Sequence, residues 1–282
     1  MTEDDPIQSW LRAIKRSGTA DVVMTDLATG LLNQYRAQHP RARFPPLAQK
    51  LTSLRDISFD RERESVTSGH LQVSNRGFVL RLGASGNAAR RNFTIAHEIG
   101  HTFFFNVERK PPSPLLLPSE MANHEIERLC NLFAVSLLLP KSTLKSLLPE
   151  LNSGPISLPR IEQISRRFTV SPETLIRRIK SLGLFQNPLS FIMLAKRHGG
   201  GREPVVDIIA SPLSRAVVEF DPSELFLESL SSGDGVDLTL DIRLGEQTLF
   251  VNALSKVYGR GPGRYSVACV TLPEPPNLKM FP

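Results

Sequence analysis

The sequence predicts an α+β chain: a mainly helical N-terminal two-thirds with a short β-hairpin or small sheet, then a β-rich C-terminal domain. Two observations carry this expectation. Before residue 185 apolar residues recur at helical spacing, and from Leu189 onward the repeat shortens to two. Proline and glycine clusters separate the periodic stretches, as turn chemistry requires. A length of 282 residues suits two or three domains, with divisions expected at 1–150, 151–187 and 188–282.

Met24 to Gln38 reads as a helix, because Leu27, Leu31 and Tyr35 fall four apart. His39-Pro40 and Pro45-Pro46 break it. Leu71 to Val73 and Phe78 to Leu82 read as the strands of a hairpin around Asn75-Arg76-Gly77. Gly83 to Asn87 leads into a helix from about Arg90 to Phe105, with Phe93, Ala96, Gly100 and Phe103 as its buried stripe. Pro111 to Pro118 is unfit for a helix interior. Asn123 suits the N-cap of a further helix, which runs to Leu139 and stops at Pro140. Beyond Gly154-Pro155 come helices over about Pro159–Arg167 and Pro172–Leu182, the second opened by Ser171-Pro172 and closed by Gly183. Val236, Leu238, Leu240, Ile242 and Leu244 then alternate with polar residues, the pattern of a half-buried strand. Gly245-Glu246 turns this strand into Thr248 to Ala253, and Tyr265 to Leu272 supplies another. Gly199-Gly200-Gly201 marks a turn near the domain boundary.

Composition excludes several classes. No apolar run reaches the ~20 residues that span a bilayer, and Met1 to Pro6 lacks the basic-then-apolar layout of a signal peptide. Cys130 and Cys269 are too few for a disulfide framework or a four-cysteine metal site. A cytoplasmic protein is expected. The net charge of +6 is uneven. Residues 151–200 hold eight Lys/Arg against two Asp/Glu, whereas residues 201–282 hold seven against eleven. The basic middle segment suits either an acidic partner such as nucleic acid or a plain solvated face.

The chemistry centres on His97-Glu98-Ile99-Gly100-His101, an HExxH motif. On a helix, residues four apart lie ~40° and ~6 Å from one another, so both imidazoles address one point. Glu98 sits ~100° around, placed to reach the water that a catalytic zinc activates rather than the ion. Such zinc sites take three protein ligands and leave a position open. Glu127 is the best third ligand, on an apolar helix bearing Ile126, Cys130, Phe133 and Leu137. Glu125 is its main rival and His124 the second. Asn131, one turn beyond Glu127, is placed to orient a ligand. Two histidines and a carboxylate also accept manganese or iron. A donor that stabilises an oxyanion is expected as well, with Tyr258, Tyr265, His70 and His124 as candidates.

Arg90 to Phe105 (RRNFTIAHEIGHTFFF) followed by Glu127 to Pro140 (ERLCNLFAVSLLLP) resembles the ImmA/IrrE family of zinc metallo-endopeptidases. That family pairs a helix of the form F-T-hydrophobic-A-H-E-hydrophobic-G-H with one of the form E-x-x-A-N-x-F-A-x-x-L-L-x-P. The resemblance implies a zincin-like fold for 1–150, zinc bound by His97, His101 and Glu127, and Glu98 as catalytic acid and base. Cys130 stands where the family usually has alanine, either as a small buried residue or as a redox-sensitive thiol beside the metal.

Ser157 to Phe185 resembles a helix-turn-helix, with Arg177, Arg178 and Lys180 on the second helix. These residues suit phosphate contacts, although a structural or substrate-docking role is favoured. Length, this segment and the β-rich 188–282 together resemble the three-part IrrE (PprI) type. The resemblance implies a GAF-like sensor domain, and cleavage of a helix-turn-helix repressor in a DNA-damage or stress response. A DNA-binding regulator with a structural metal is the alternative, and a phage or toxin–antitoxin accessory protease the third.

Overall fold

In a computed structural model the residues described are 20–60, 69–83, 87–115, 123–147, 149, 156–185, 190–196, 205–210, 218–220, 237–244, 247–258 and 265–271. Met1–Pro6, Gly154-Pro155, the Gly199–Gly201 run and the Gly245-Glu246 turn lie outside them. The chain divides into two compact units, Met1–Lys141 with Arg166–Ser171, and Ser142–Ser165 with Pro172–Pro282.

In the first unit, α1 spans Ala20–Gln38 and buries Val23, Met24, Ala28, Leu31, Leu32 and Tyr35 along one stripe. It starts four residues before the expected Met24. A 3₁₀ helix over Ala48–Arg55 follows and ends at Asp56, whose φ of 52° turns the chain into a strand. Strands β1 (Ile57–Phe59), β2 (His70–Ser74) and β3 (Gly77–Arg81) form a sheet in the order β1-β3-β2. The hairpin expected from the sequence is present: β2 and β3 pair antiparallel with Ser74 opposite Gly77, while β1 runs parallel to β3. Gly77 adopts φ 148°, and a Cβ there would lie 2.3 Å from the Asp56 carbonyl oxygen. Only glycine lets the hairpin close against Asp56, whose carbonyl accepts the Phe78 amide at 2.9 Å.

Helix α2 covers Ala88–His101 and a 3₁₀ turn covers Thr102–Phe104. The α-helix therefore ends four residues short of the expected Phe105. Strand β4 (Phe105–Asn106) pairs with β5 (Ser113–Pro114), helix α3 (Asn123–Leu138) follows, and α4 (Lys141–Ser146) starts on the last residue of this stretch and continues in the second unit. Helices α1 and α2 both pack on α3. Ile95, Ile99, Leu129, Phe133 and Leu137 fill that junction, each at most 2% exposed. Removing each such side chain from water stabilises the fold by about 1.5–3 kcal/mol.

In the second unit, helix α5 (Leu158–Phe168), whose last three residues belong to the first unit, precedes α6 (Pro172–Ser181). Gly183 ends α6 at φ 61°. Its amide bonds the Lys180 carbonyl and the Leu184 amide bonds the Ile179 carbonyl, so the last carbonyls are satisfied. Strands β6 (Ser190–Lys196), β7 (Val205–Ala210), β8 (Val218–Phe220), β9 (Asp237–Leu244), β10 (Gln247–Tyr258) and β11 (Tyr265–Thr271) form an antiparallel sheet ordered β7-β6-β11-β10-β9-β8. Consecutive residues Ile192, Met193 and Leu194 are all buried. So are Val267 and Ala268, hence the centre of the sheet is covered on both faces and loses the period-two signature. Among the described residues no helix is long and apolar enough to cross a membrane.

Two glycines should respond to alanine with opposite signs. Gly77→Ala forces backbone to move and is expected to cost about 2–3 kcal/mol. Gly30→Ala, in mid-helix with nothing within 4 Å of the new methyl, should stabilise by about 0.5–1 kcal/mol. Chemical denaturation of the two variants checks both.

Candidate metal centre

The site begins with the cap of α2. The Asn87 side chain accepts the Arg90 amide at 2.9 Å, starting the helix so that its inner face carries Asn92, Ile95, Ala96, Ile99 and Gly100. Asn92 locks this face laterally, accepting the Ala48 amide at 2.9 Å and donating to the Thr169 carbonyl at 3.1 Å. Phe93 is not part of the buried stripe, contrary to expectation. It lies four residues before His97, on the same side of the helix, and its ring stacks 6.5 Å from that imidazole.

His97 and His101 bring their Nε2 atoms within 3.0 Å of each other. Helix α3 then delivers Glu127, with Oε2 at 3.2 Å from His97 Nε2 and Oε1 at 3.4 Å from His101 Nε2. What lets α3 come so close is the absence of a side chain at Gly100. A Cβ there would stand 3.2 Å from Phe133 Cδ1 and 3.3 Å from Cys130 Cα, tighter than ordinary packing. Tetrahedral zinc with bonds of ~2.0–2.1 Å holds its donors roughly 3.3–3.4 Å apart. The two imidazoles and the carboxylate, with ligand atoms all within 4.8 Å of one another, therefore fit such an ion. The same donor set also suits manganese or iron.

The neighbours tune these groups. Asn131 Oδ1 accepts the His97 Nδ1–H at 3.0 Å, which leaves the Nε2 lone pair facing the other donors. Burial, with the adjacent His97, holds the His101 imidazole below its usual pKa despite the opposing effect of Glu127. A neutral ring is the form that binds a metal. Glu98 is 8% exposed. Burial pushes its carboxyl up to about 7, and the Glu127 carboxylate adds to the shift. A carboxyl that titrates near neutrality can both take and return a proton.

These side chains line a cleft of about 560 Å³, shared with Gly69, His70, Leu71, Val73, Phe78, Phe93, Thr94 and Phe105. Gly69 fits flush against the base of the cleft, since a Cβ would meet Thr94 Cγ2 at 2.3 Å and Glu98 Oε1 at 3.1 Å. Strand β2 forms one rim and is the edge of its sheet. The Phe78 amide and the Leu80 carbonyl both point to the β1 side, bonding Asp56 O and Asp60 N. Their partners across the hairpin, Val73 and Leu71, therefore direct their own N–H and C=O groups outward along the open edge.

The remaining expected residues separate. Glu125, the rival ligand, is drawn away by Arg128, which it accepts at 2.8 and 2.7 Å and which also binds Asp21. His124 is exposed and does not line the cleft. Of the four oxyanion candidates, His70 alone borders the cleft. The Tyr258 hydroxyl donates to Glu162 at 3.0 Å, and the Tyr265 hydroxyl accepts the Glu173 amide at 3.5 Å. The basic trio of α6 does not share one face. Arg177 is exposed and paired with Glu173 at 3.1 Å, Lys180 is half-buried, and Arg178 is only 6% exposed. Arg178 follows Leu175 and Ile179 onto the buried side, so a nucleic-acid contact by this residue is corrected to an interior one. Gly69, Asn92 and Arg55 escaped the sequence reading. Each acts through a partner distant in sequence, which periodicity does not report.

Residues 43–180 match the family model of the peptidase M78 type described as the IrrE N-terminal-like domain. That stretch is similar to the IrrE N-terminal-like domain. No curated protein matches the chain. Among solved structures, one described as a Mycobacterium tuberculosis transcriptional regulator superimposes with a TM-score of 0.50 at 16% identity, covering 95% of this chain and 82% of its own. At that identity the likeness concerns the fold alone. The matched stretch contains every residue of the cleft, and metallopeptidase activity is what its family suggests.

Two outcomes are expected of this domain. Asn131→Ala frees the His97 ring and should weaken zinc affinity about 10- to 100-fold, measured by competition with a chromophoric chelator. Cys130 is fully buried, and burial, with Glu127 and Glu98 nearby, raises its thiol above the usual range. The thiol thus stays protonated through mild alkali, and thiol reagents should leave Cys130 unlabelled in the native protein and label it only on unfolding. Mass spectrometry of the labelled peptide reads this directly.

Proposed function

We propose that this chain is a regulatory zinc metallo-endopeptidase that cleaves a helix-turn-helix transcriptional repressor and so releases genes of a DNA-damage or stress response. The observation that carries the reading is the convergence of His97, His101 and Glu127 in one cleft with a buried carboxyl, Glu98, that titrates near neutrality. Zinc held by those three residues would polarise a scissile carbonyl and lower the pKa of a water to near 7. Glu98 takes the proton of the attacking water and passes it to the departing amide nitrogen. Asn131 keeps His97 in the tautomer that offers Nε2 to the ion. Phe93 and Phe105 give the cleft apolar wall on the way to the ligands. The outward backbone groups of Leu71 and Val73 offer strand pairing to an extended substrate segment. This agrees with an endopeptidase acting on an exposed loop or linker of a folded repressor.

In this reading α5 and α6 form the helix-turn-helix segment and the six-stranded sheet of the second unit is the GAF-like sensor. The protein described as a mycobacterial transcriptional regulator shares the fold, and that description agrees with a regulatory role. A second reading, DNA binding with a structural metal, draws on the exposed Arg166, Arg167 and Arg177. It predicts duplex affinity that falls steeply with salt and is indifferent to Glu98.

Glu98→Gln separates the two. The variant should bind zinc as the parent does yet lose at least about 10³-fold in cleavage of a co-incubated repressor, consistent with removal of general base and acid together. Chelator should abolish cleavage by the parent. Full cleavage by the variant, or duplex binding with no cleavage by either protein, would reject the protease reading.

A further inference from the structure

His101 is the last residue of α2, a place where helices fray because their final carbonyls lack helical partners. A metal ligand at that position needs an external anchor, and Arg55 supplies one. Its Nε–H donates to Thr102 Oγ1 at 2.9 Å and its Nη2–H donates to the Thr102 carbonyl at 3.0 Å. The Thr102 hydroxyl in turn donates to the Ile99 carbonyl at 2.7 Å, so the fork of Arg55 closes the end of the helix from two directions. The guanidinium carbon also lies 4.1 Å from the centre of the Phe103 ring. Phe103 packs 5.1 Å from Phe133, on the helix that carries Glu127. One side chain thereby touches the residue after His101 and, through a single ring, the helix that holds the third ligand.

The cost of this arrangement argues that it is specific. Burial lowers the Arg55 guanidinium to about 10, against the supporting charge of Asp56. A cation so placed is costly unless each donor finds an acceptor. Here the partners are a helix C-terminal carbonyl, where positive charge is favoured, and an aromatic face. A lysine could supply the charge but not the planar two-point fork.

We propose that Arg55 is a positioning residue of the metal centre, holding His101 and the α2–α3 junction in the geometry that binds the ion. This rests on the reading of His97, His101 and Glu127 as ligands. The test uses the full chain loaded with zinc or cobalt, comparing the parent with Arg55→Lys, Arg55→Met and Thr102→Val. Thr102→Val keeps the buried shape and removes the hydroxyl that Arg55 grips, so it carries the test if Arg55→Met fails to fold. Zinc affinity should fall about 10- to 100-fold in Arg55→Met and Thr102→Val, with little recovery in Arg55→Lys. The double variant should lose no more than the worse single one, because both changes break one linkage. The visible absorption of the cobalt form should weaken and shift in the same variants as the ligand geometry relaxes. Unchanged affinity and an unchanged cobalt spectrum in folded Arg55→Met or Thr102→Val would overturn the proposal. A parent that binds neither zinc nor cobalt would instead overturn the metal reading itself, and the role of Arg55 with it.

Discussion

Everything at the cleft depends on how closely two helices pass. The missing side chain at Gly100 and the small Cys130 opposite it let α3 settle against α2, with Phe133 sealing the contact. That approach brings a glutamate on one helix within 3.2 and 3.4 Å of two histidines on the other. Helix α2 alone would present two imidazoles to solvent. The tight crossing converts them into a three-donor site with the spacing a tetrahedral ion requires.

The same packing creates the electrostatics. Glu98 is buried, with Gly69 against its side chain, and the carboxylate of Glu127 stands nearby, so the charged form of Glu98 is disfavoured twice over. The same burial holds the His101 imidazole below its usual pKa. The cleft thus holds one group ready to exchange a proton near neutral pH and, beside it, donors that fit a metal ion. Cys130, which occupies the crossing itself, is sealed and raised in pKa. Its place in the sequence beside Glu127 invites a redox role, but its burial makes it packing material. Around this centre the three-stranded sheet contributes a rim rather than ligands. Gly77 closes the hairpin and Gly69 lies flat on Glu98, each where a Cβ would collide.

Much of this was legible in the sequence because it is local. Hairpin residues 70–81, the helix with His97 and His101, and the helix with Glu127 all announce themselves by period, turn residues and caps. Phe93 was misassigned although its spacing from His97 is helical, because an aromatic residue on an apolar helix reads as core by default. Arg178 was read as either a phosphate contact or a structural residue, and the stripe of Leu175 and Ile179 carries it inward. The period-two repeat expected from Leu189 onward is not kept by the strands centred on Ile192–Leu194 and Val267–Ala268, since a sheet covered on both faces does not need it.

By itself the sequence determined the α+β character of the chain, the pairing of two motif helices, and the identity of the residues with metal-binding chemistry. These follow from side-chain type and from repeats of two and 3.6, which are properties of neighbouring residues. The sequence already favoured Glu127 over Glu125 as the third ligand, and tertiary structure gave each glutamate its partner. Glu125 faces Arg128 and Asp21; Glu127 faces His97 and His101. Tertiary structure named His97 as the ligand that Asn131, already singled out by its place one turn beyond Glu127, holds, and it alone set Gly69 against Glu98 and Arg55 against the end of α2. Such contacts join residues far apart in the chain, and their energies depend on distance and burial, quantities that exist only once the chain has folded.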